Sequence, residues 1–218
     1  MLGKNYPYTA TSCSHEWMGS NSTTHSMDQV YYKSTESRPT SPFGLLEELF
    51  SEEPWRVLIC TMFLNKTQRK QNLDCILFHL FQRWPTAESV AKDADDDEEA
   101  VLRFVFSLAR PAGLGRAKAM GFVRLSRDYM SLLAFKNQQE TAPPESRGSS
   151  VPGNEGRCKH AAELGLTRKE VKQLFNCGDY AADAYQIFVG NDFESPVLSN
   201  DRMLLAYVEW KRSISSLS

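Results

Sequence analysis

The 218-residue chain has no CxxC pair, no apolar run of bilayer length and almost no net charge. Each absence removes a class. Without roughly 18 consecutive apolar residues no membrane span is expected. The start, MLGKNYPYTATSCSHEW, lacks the charged-then-apolar layout of a secretory signal, so a soluble intracellular protein with no membrane partner is expected. The five cysteines, Cys13, Cys60, Cys75, Cys158 and Cys177, are scattered and odd in number. That pattern suggests reduced thiols and neither a disulfide framework nor a zinc site. Cys158 and His160 with Cys177, or Cys13 with His15, match no structural-metal spacing, and no metal is expected. A net charge of −2 gives no whole-protein electrostatic footprint for nucleic acid. Convincing strands are missing as well.

What is present is helical periodicity. Trp55, Leu58, Ile59, Met62 and Phe63 follow i, i+3, i+4, i+7, i+8, and Leu73, Ile76, Leu77, Leu80, Phe81 and Trp84 repeat the pattern. A further helix is predicted over Asp97 to Leu108. Another follows the Gly113-Leu114-Gly115 turn, with Ala119, Phe122, Val123, Met130 and Leu133 inward. Two more run from Tyr180 to about Asn191 and from about Asp201 to Arg212. The sum is an all-α fold of seven to nine short helices, with no internal repeat. Residues 1–40, rich in Ser, Thr, Tyr and Asn, read as a disordered tail, and 213–218 as a second one. A Pro-, Gly- and Ser-rich stretch from Lys136 to about residue 165 reads as a flexible insertion within a domain spanning 41–212. Charge is unevenly spread: DADDDEE, Asp93 to Glu99, is acidic, whereas Ala100 to Ala134 carries Arg103, Arg110, Arg116, Lys118, Arg124 and Arg127 against only Asp128. A basic face on a mildly acidic molecule is the expectation.

Two places could carry chemistry. In LFNCGDYAADAYQIF, a helix ending near Leu174, a turn through Asn176-Cys177-Gly178 and a helix opening at Asp179 or Tyr180 expose backbone N–H groups at the second helix's start. Such a turn either holds an anion or is a plain corner in which glycine supplies a positive φ. Asp201, after ESPVLSN, is either the N-cap of the last helix or a carboxylate that also activates water or stabilises positive charge. Two carboxylate oxygens permit both.

Taken together, SPFGLLEELFSEEPWRVLICTMFLNKTQ, LARPAGLGRAKAM, LFNCGDYAADAYQIF and LSNDRMLLAYVEW resemble the helix-hairpin-helix DNA glycosylase superfamily, in that order and spacing. The likeness runs from about Ser41 to Trp210, apart from the insertion around Lys136 to Leu166. It implies a two-lobed bundle of short helices with a helix-hairpin-helix motif. It also implies a base-excision repair enzyme that flips a nucleotide out of double-stranded DNA and hydrolyses its N-glycosidic bond. By position, the superfamily's catalytic aspartate is Asp201. Where members that also cleave the strand carry a lysine, this chain has Tyr180; a phenol forms no Schiff base, so hydrolysis without lyase activity is implied.

The same resemblance places Tyr180, Leu46 and Glu47 at the base pocket, although one extra residue before Pro54 shifts that alignment. A Glu there accepts from N3–H of uracil or thymine but cannot donate to a carbonyl. Lys66 and Leu114 match the positions that fill the gap left in the duplex, with a solvated lysine and a core-packed turn leucine as their plain alternatives. Arg116 and Lys118 stand as phosphate-binding cations, and Cys177 and Gly178 as the hairpin's phosphate contacts. The family's hairpin has glycine, an aliphatic and glycine where this chain has Asn176, Cys177 and Gly178. No cysteine follows Cys177, so no iron–sulfur cluster is expected; a monovalent cation at the hairpin is compatible with the resemblance. The implied substrate is duplex DNA with a mismatched or damaged base, uracil or thymine opposite guanine above all. A monomer in the nucleus is the accompanying expectation, and a non-catalytic DNA-binding module of the same fold is the alternative.

Overall fold

The computed structural model describes residues 41–65, 73–141 and 165–216, and among these all regular structure is helical. A short 3-10 turn (Leu46–Phe50) precedes α1 (Pro54–Leu64), α2 (Leu73–Arg83) and the long α3 (Ala87–Ala109). After a second 3-10 turn (Arg110–Ala112) come α4 (Arg116–Thr141), α5 (Arg168–Val171), α6 (Asp179–Phe188) and α7 (Arg202–Ser215). The all-α expectation holds. The tail at 1–40 and most of the expected insertion fall outside the described residues.

Three local expectations change. The helix expected from Asp97 begins at Ala87, capped by a reciprocal Thr86–Ser89 box, and breaks at Asp97, where φ is −153° and ψ 87°. Asp97 then caps the continuation, its Oδ1 accepting from Ala100 N at 2.9 Å. The acidic run hides the first half because it dilutes the apolar stripe to Ala87, Val90 and Ala94. Helix α4 continues past Lys136 to Thr141, and Lys136 Nζ reaches back to Gly165 O at 2.8 Å and Glu170 at 3.2 Å. Cys60 and Cys177 are free and buried, but Cys75 is disulfide-bonded, contrary to reduced thiols throughout.

The apolar residues form two clusters. The larger joins α1 to α4 around Phe63, Leu77, Trp84, Val105 and Phe122, and its indoles are satisfied inside: Trp55 Nε1 donates to Ser126 Oγ at 3.1 Å and Trp84 Nε1 to Asp93 at 2.9 Å. The smaller gathers Leu45, Ile187, Phe188, Leu204, Tyr207 and Val208. Helix α6 belongs to both, giving Ala181, Ala182 and Tyr185 to the first and Ala184, Ile187 and Phe188 to the second. A helix enclosed on two sides must be apolar nearly all round, and small residues let its neighbours come close. Ala184→Leu, at a fully enclosed position, is expected to cost about 1–3 kcal/mol by overpacking, read as a lower urea midpoint with unchanged m-value.

Candidate functional site

An open cavity of about 580 Å³ lies where four elements meet. Leu45, Leu46 and Glu47 come from the first 3-10 turn, Leu64 and Asn65 from the end of α1, Tyr180 from the start of α6, and Ser199 to Met203 from the approach to α7. Its size suits a small planar ligand with room for water. The sequence-predicted residues Leu46, Glu47, Tyr180 and Asp201, separated by up to 155 positions (201 minus 46), share this one space.

Asp201 is the N-cap of α7. Its Oδ1 accepts from both Met203 N at 2.9 Å and Leu204 N at 3.0 Å, so one oxygen satisfies two orphan donors of the first turn. Oδ2 takes no hydrogen bond among the described residues, and the side chain lines the cavity. Both readings of Asp201 are therefore sterically open at once. Asn200, immediately before it, sits in the left-handed region with φ 54°, the turn that brings the loop up to the cap.

The same cavity holds a partly buried pair. The Tyr180 hydroxyl donates to Glu47 Oε1, and Glu47 is fully enclosed. Burial first, and then the Glu47 charge, push the Tyr180 phenol well above its ordinary 10.0, with Cys60 and Asp201 adding to the push. Burial and Glu47 likewise push the enclosed Cys60 thiol up. Tyr180 is thus a neutral phenol whose proton is committed to Glu47.

The hairpin is built differently from its expectation. Its first helix, α5, is a single turn closed by a Thr167–Glu170 capping box, and the chain then steps down through i to i+3 bonds at Gln173 and Leu174. Asn176, not Gly178, takes the left-handed conformation, with φ 59°. Gly178 is extended and caps α6, and a Cβ there would meet nothing within 4 Å. Cys177 is part of the core: its thiol is buried and pushed up to about 12, mainly by burial, and its amide donates to Leu174 O at 3.1 Å. The N–H groups of Asp179, Tyr180 and Ala181 make no hydrogen bond among the described residues. The Asp179 carboxylate, in that first turn, pairs with Lys172 and Arg168, both at 2.9 Å.

Other expected DNA contacts are also redirected. Leu114 does not project as a wedge; it is 6% exposed and joins the larger core, because the Gly113 turn (φ 75°) and the Leu114 N to Ala109 O bond fold it inward. Lys118 donates to Met62 O and, at 2.8 Å, to Asn65 O, capping the carbonyl end of α1 instead of reaching out. Arg116 does face solvent, 64% exposed, in a loose pair with Glu99. Arg127 is held by Glu98, Asp95 and Ala94 O, so the acidic run of α3 offsets much of the basic face expected for α4. Lys66 lies outside the described residues.

One buried charged group was missed. Asp183, 2% exposed on α6, accepts from Arg168 with Oδ1 and from Ser199 N, at 2.6 Å, with Oδ2. Its sequence signal was a lone carboxylate inside an otherwise apolar helical run. Asn65, Ser199, Asn200, Arg202 and Met203 were missed as cavity lining for a plainer reason: they belong to helix ends, which periodicity does not resolve.

Two outcomes test this geometry. Tyr180→Phe removes a buried charge-assisted donor and is expected to cost about 1.5–3 kcal/mol at pH 7 by urea unfolding. Because the folded-state phenol lies above its unfolded 10.0, its share of stability is full below pH 10 and drains as pH rises above it. Between pH 10 and 11 the wild type should therefore lose stability faster than the phenylalanine variant. Lys118→Ala should lower stability by about 1–2 kcal/mol, yet leave the salt dependence of any DNA affinity unchanged, whereas loss of a phosphate contact would reduce the slope by about one.

No family model matches the chain. It is similar to a protein of Arabidopsis thaliana described as a methyl-CpG-binding domain protein 4-like protein, 29% identical over 189 residues, which cover 85% of this chain and 33% of the relative. The chain thus spans about a third of the length of that curated relative.

Proposed function

We propose that the chain is a monofunctional DNA glycosylase of base excision repair, hydrolysing the N-glycosidic bond of uracil or thymine mispaired with guanine after the nucleotide has been flipped out of the duplex. The observation that carries this reading is Asp201: one oxygen serves the α7 cap, and the other, at the wall of a cavity shared with Tyr180 and Glu47, accepts no hydrogen bond among the described residues. The name of the Arabidopsis relative and the resemblance of four ordered sequence blocks support the same reading.

In this mechanism the flipped base enters beside Tyr180, whose phenol oxygen, its proton held by Glu47, accepts the N3–H. As the glycosidic bond lengthens, positive charge gathers on the sugar, and the fixed Asp201 carboxylate stabilises it and guides water to the anomeric carbon. Among the described residues lining the cavity there is no lysine, and Tyr180 holds a neutral phenol committed to Glu47. A Schiff base needs an amine, so release without strand cleavage is the reading for this chain. The accompanying proposals are duplex DNA as partner, the nucleus as compartment and a monomer as the working form.

A second reading, a DNA-binding module of the same fold without turnover, draws on the hairpin. Its Cys177 amide is already used, Asp179 brings negative charge to the α6 start, and Leu114 is packed inward. Single-turnover assays on duplexes holding U:G, T:G, U:A and T:A separate the two. The glycosylase reading expects base release from the guanine mismatches, no strand break before alkali, and a fall of at least about 100-fold in Asp201→Asn with duplex affinity kept within about 3-fold. Salt-sensitive binding with no release from any duplex would leave the module reading standing.

A further inference from the structure

Asp183 is a buried carboxylate that the proposed chemistry does not use. It sits on α6 between two apolar clusters, at 2% exposure, where an ionised side chain needs both a counter-charge and filled lone pairs. Arg168 from α5 supplies the counter-charge to Oδ1 and holds Asp179 with its other nitrogen, at 2.9 Å. The second oxygen is filled from a neighbouring loop. Oδ2 takes the backbone N–H of Ser199 at 2.6 Å, in a loop with no regular structure.

That loop leads directly to Asp201. Ser199 Oγ accepts from Asp201 N at 3.4 Å, Asn200 takes the left-handed turn between them, and α7 begins at the next residue. The chain from the Asp183 contact to the Asp201 carboxylate is therefore two residues long. Moving Ser199 by an ångström moves Asp201 against the rest of the cavity, whose other walls belong to the 3-10 turn, α1 and α6.

We propose that Asp183 is a positioning residue that sets the placement of Asp201 through the Ser199 amide, with Arg168 as its compensating charge. The inference rests on the glycosylase reading for its kinetic consequence, and on the hydrogen bond alone for its structural one. Asp183 touches neither the cavity nor the reacting atoms.

The test compares three variants with the wild type, each measured for single-turnover base release, duplex affinity, thermal midpoint and hydrogen exchange at the Ser199 amide. Asp183→Asn keeps an oxygen for the Ser199 N–H and is expected to hold release within about 10-fold of wild type. Asp183→Leu loses both acceptors, and release should fall about 100-fold, as for an ångström-scale misplacement, with affinity changed by less than about 3-fold. The double variant Arg168→Met/Asp183→Leu replaces the ion pair with apolar groups, which commonly restores stability. It should recover the thermal midpoint of the single variant while release stays low and Ser199 exchanges at least about 10-fold faster. Full release from the folded double variant, or an unchanged Ser199 exchange rate, would overturn the proposal. If the wild type frees no base from any duplex, the glycosylase reading fails on that result, and Ser199 exchange alone then decides whether Asp183 holds the loop.

Discussion

Enclosure of α6 on two sides governs the rest of the molecule. A helix in contact with both apolar clusters has nowhere to place a polar side chain without a partner, and α6 nonetheless carries Tyr180, Asp183 and Tyr185. Each is satisfied by a different segment: Tyr180 by Glu47 on the 3-10 turn, Asp183 by Arg168 and the Ser199 amide, Tyr185 by the Leu166 N–H at 3.2 Å. An unsatisfied buried polar group costs about 1–3 kcal/mol, so these three contacts are obligatory for a helix in this place. They are also what draws the turn, the α7 approach and the segment before α5 around one end of α6. The cavity lies where the first two of these, the 3-10 turn and the α7 approach, meet the start of α6 and the end of α1.

The charged surface follows a different logic. Arg116 and Arg127 both answer the acidic run of α3, but the contacts are solvent-exposed, and exposed ion pairs contribute only about 0–1 kcal/mol each. Such cations exchange partners readily. Lys118 does not, because its ammonium group is partly buried against the last carbonyls of α1, where leaving would orphan two acceptors. A count of basic residues between 100 and 134 therefore overstates the positive charge available to an external anion, and the discount falls on named residues.

The helices were legible because their apolar residues recur at 3.6, and Asp201 was legible because an Asp ahead of such a run is a cap by ordinary helix chemistry. The convergence of Leu46, Glu47, Tyr180 and Asp201 could be stated only through the resemblance, since no local rule brings a 3-10 turn to a helix start over a hundred residues later. What stayed hidden depends on direction. Whether Leu114 points out or in is decided by the Gly113 dihedral and the Ala109 carbonyl, and whether Lys118 meets solvent is decided by where α1 ends. The positive φ expected of the hairpin's glycine falls on Asn176, and Gly178 was not readable as extended, because glycine fits either conformation. Asp183 escaped notice since one carboxylate in an apolar run resembles the solvent edge of an amphipathic helix. Only the second cluster, built from α7, turns that edge into an interior.

The Glu47–Tyr180 pair constrains what the cavity can recognise. A phenol with its proton given to Glu47 faces the remaining space only as an acceptor. That wall therefore pairs with an N–H and repels a bare carbonyl. Uracil and thymine each present a single N–H, at N3, between two carbonyls, so on the proposed reading the wall addresses the middle of the base edge and the carbonyls must find donors elsewhere. Asn65, at the end of α1, has a side-chain amide for that purpose, and it stands on the same cavity wall that Lys118 holds by its carbonyl. The lysine expected to grip phosphate would then serve recognition from behind, by fixing the residue that completes the base's hydrogen bonds.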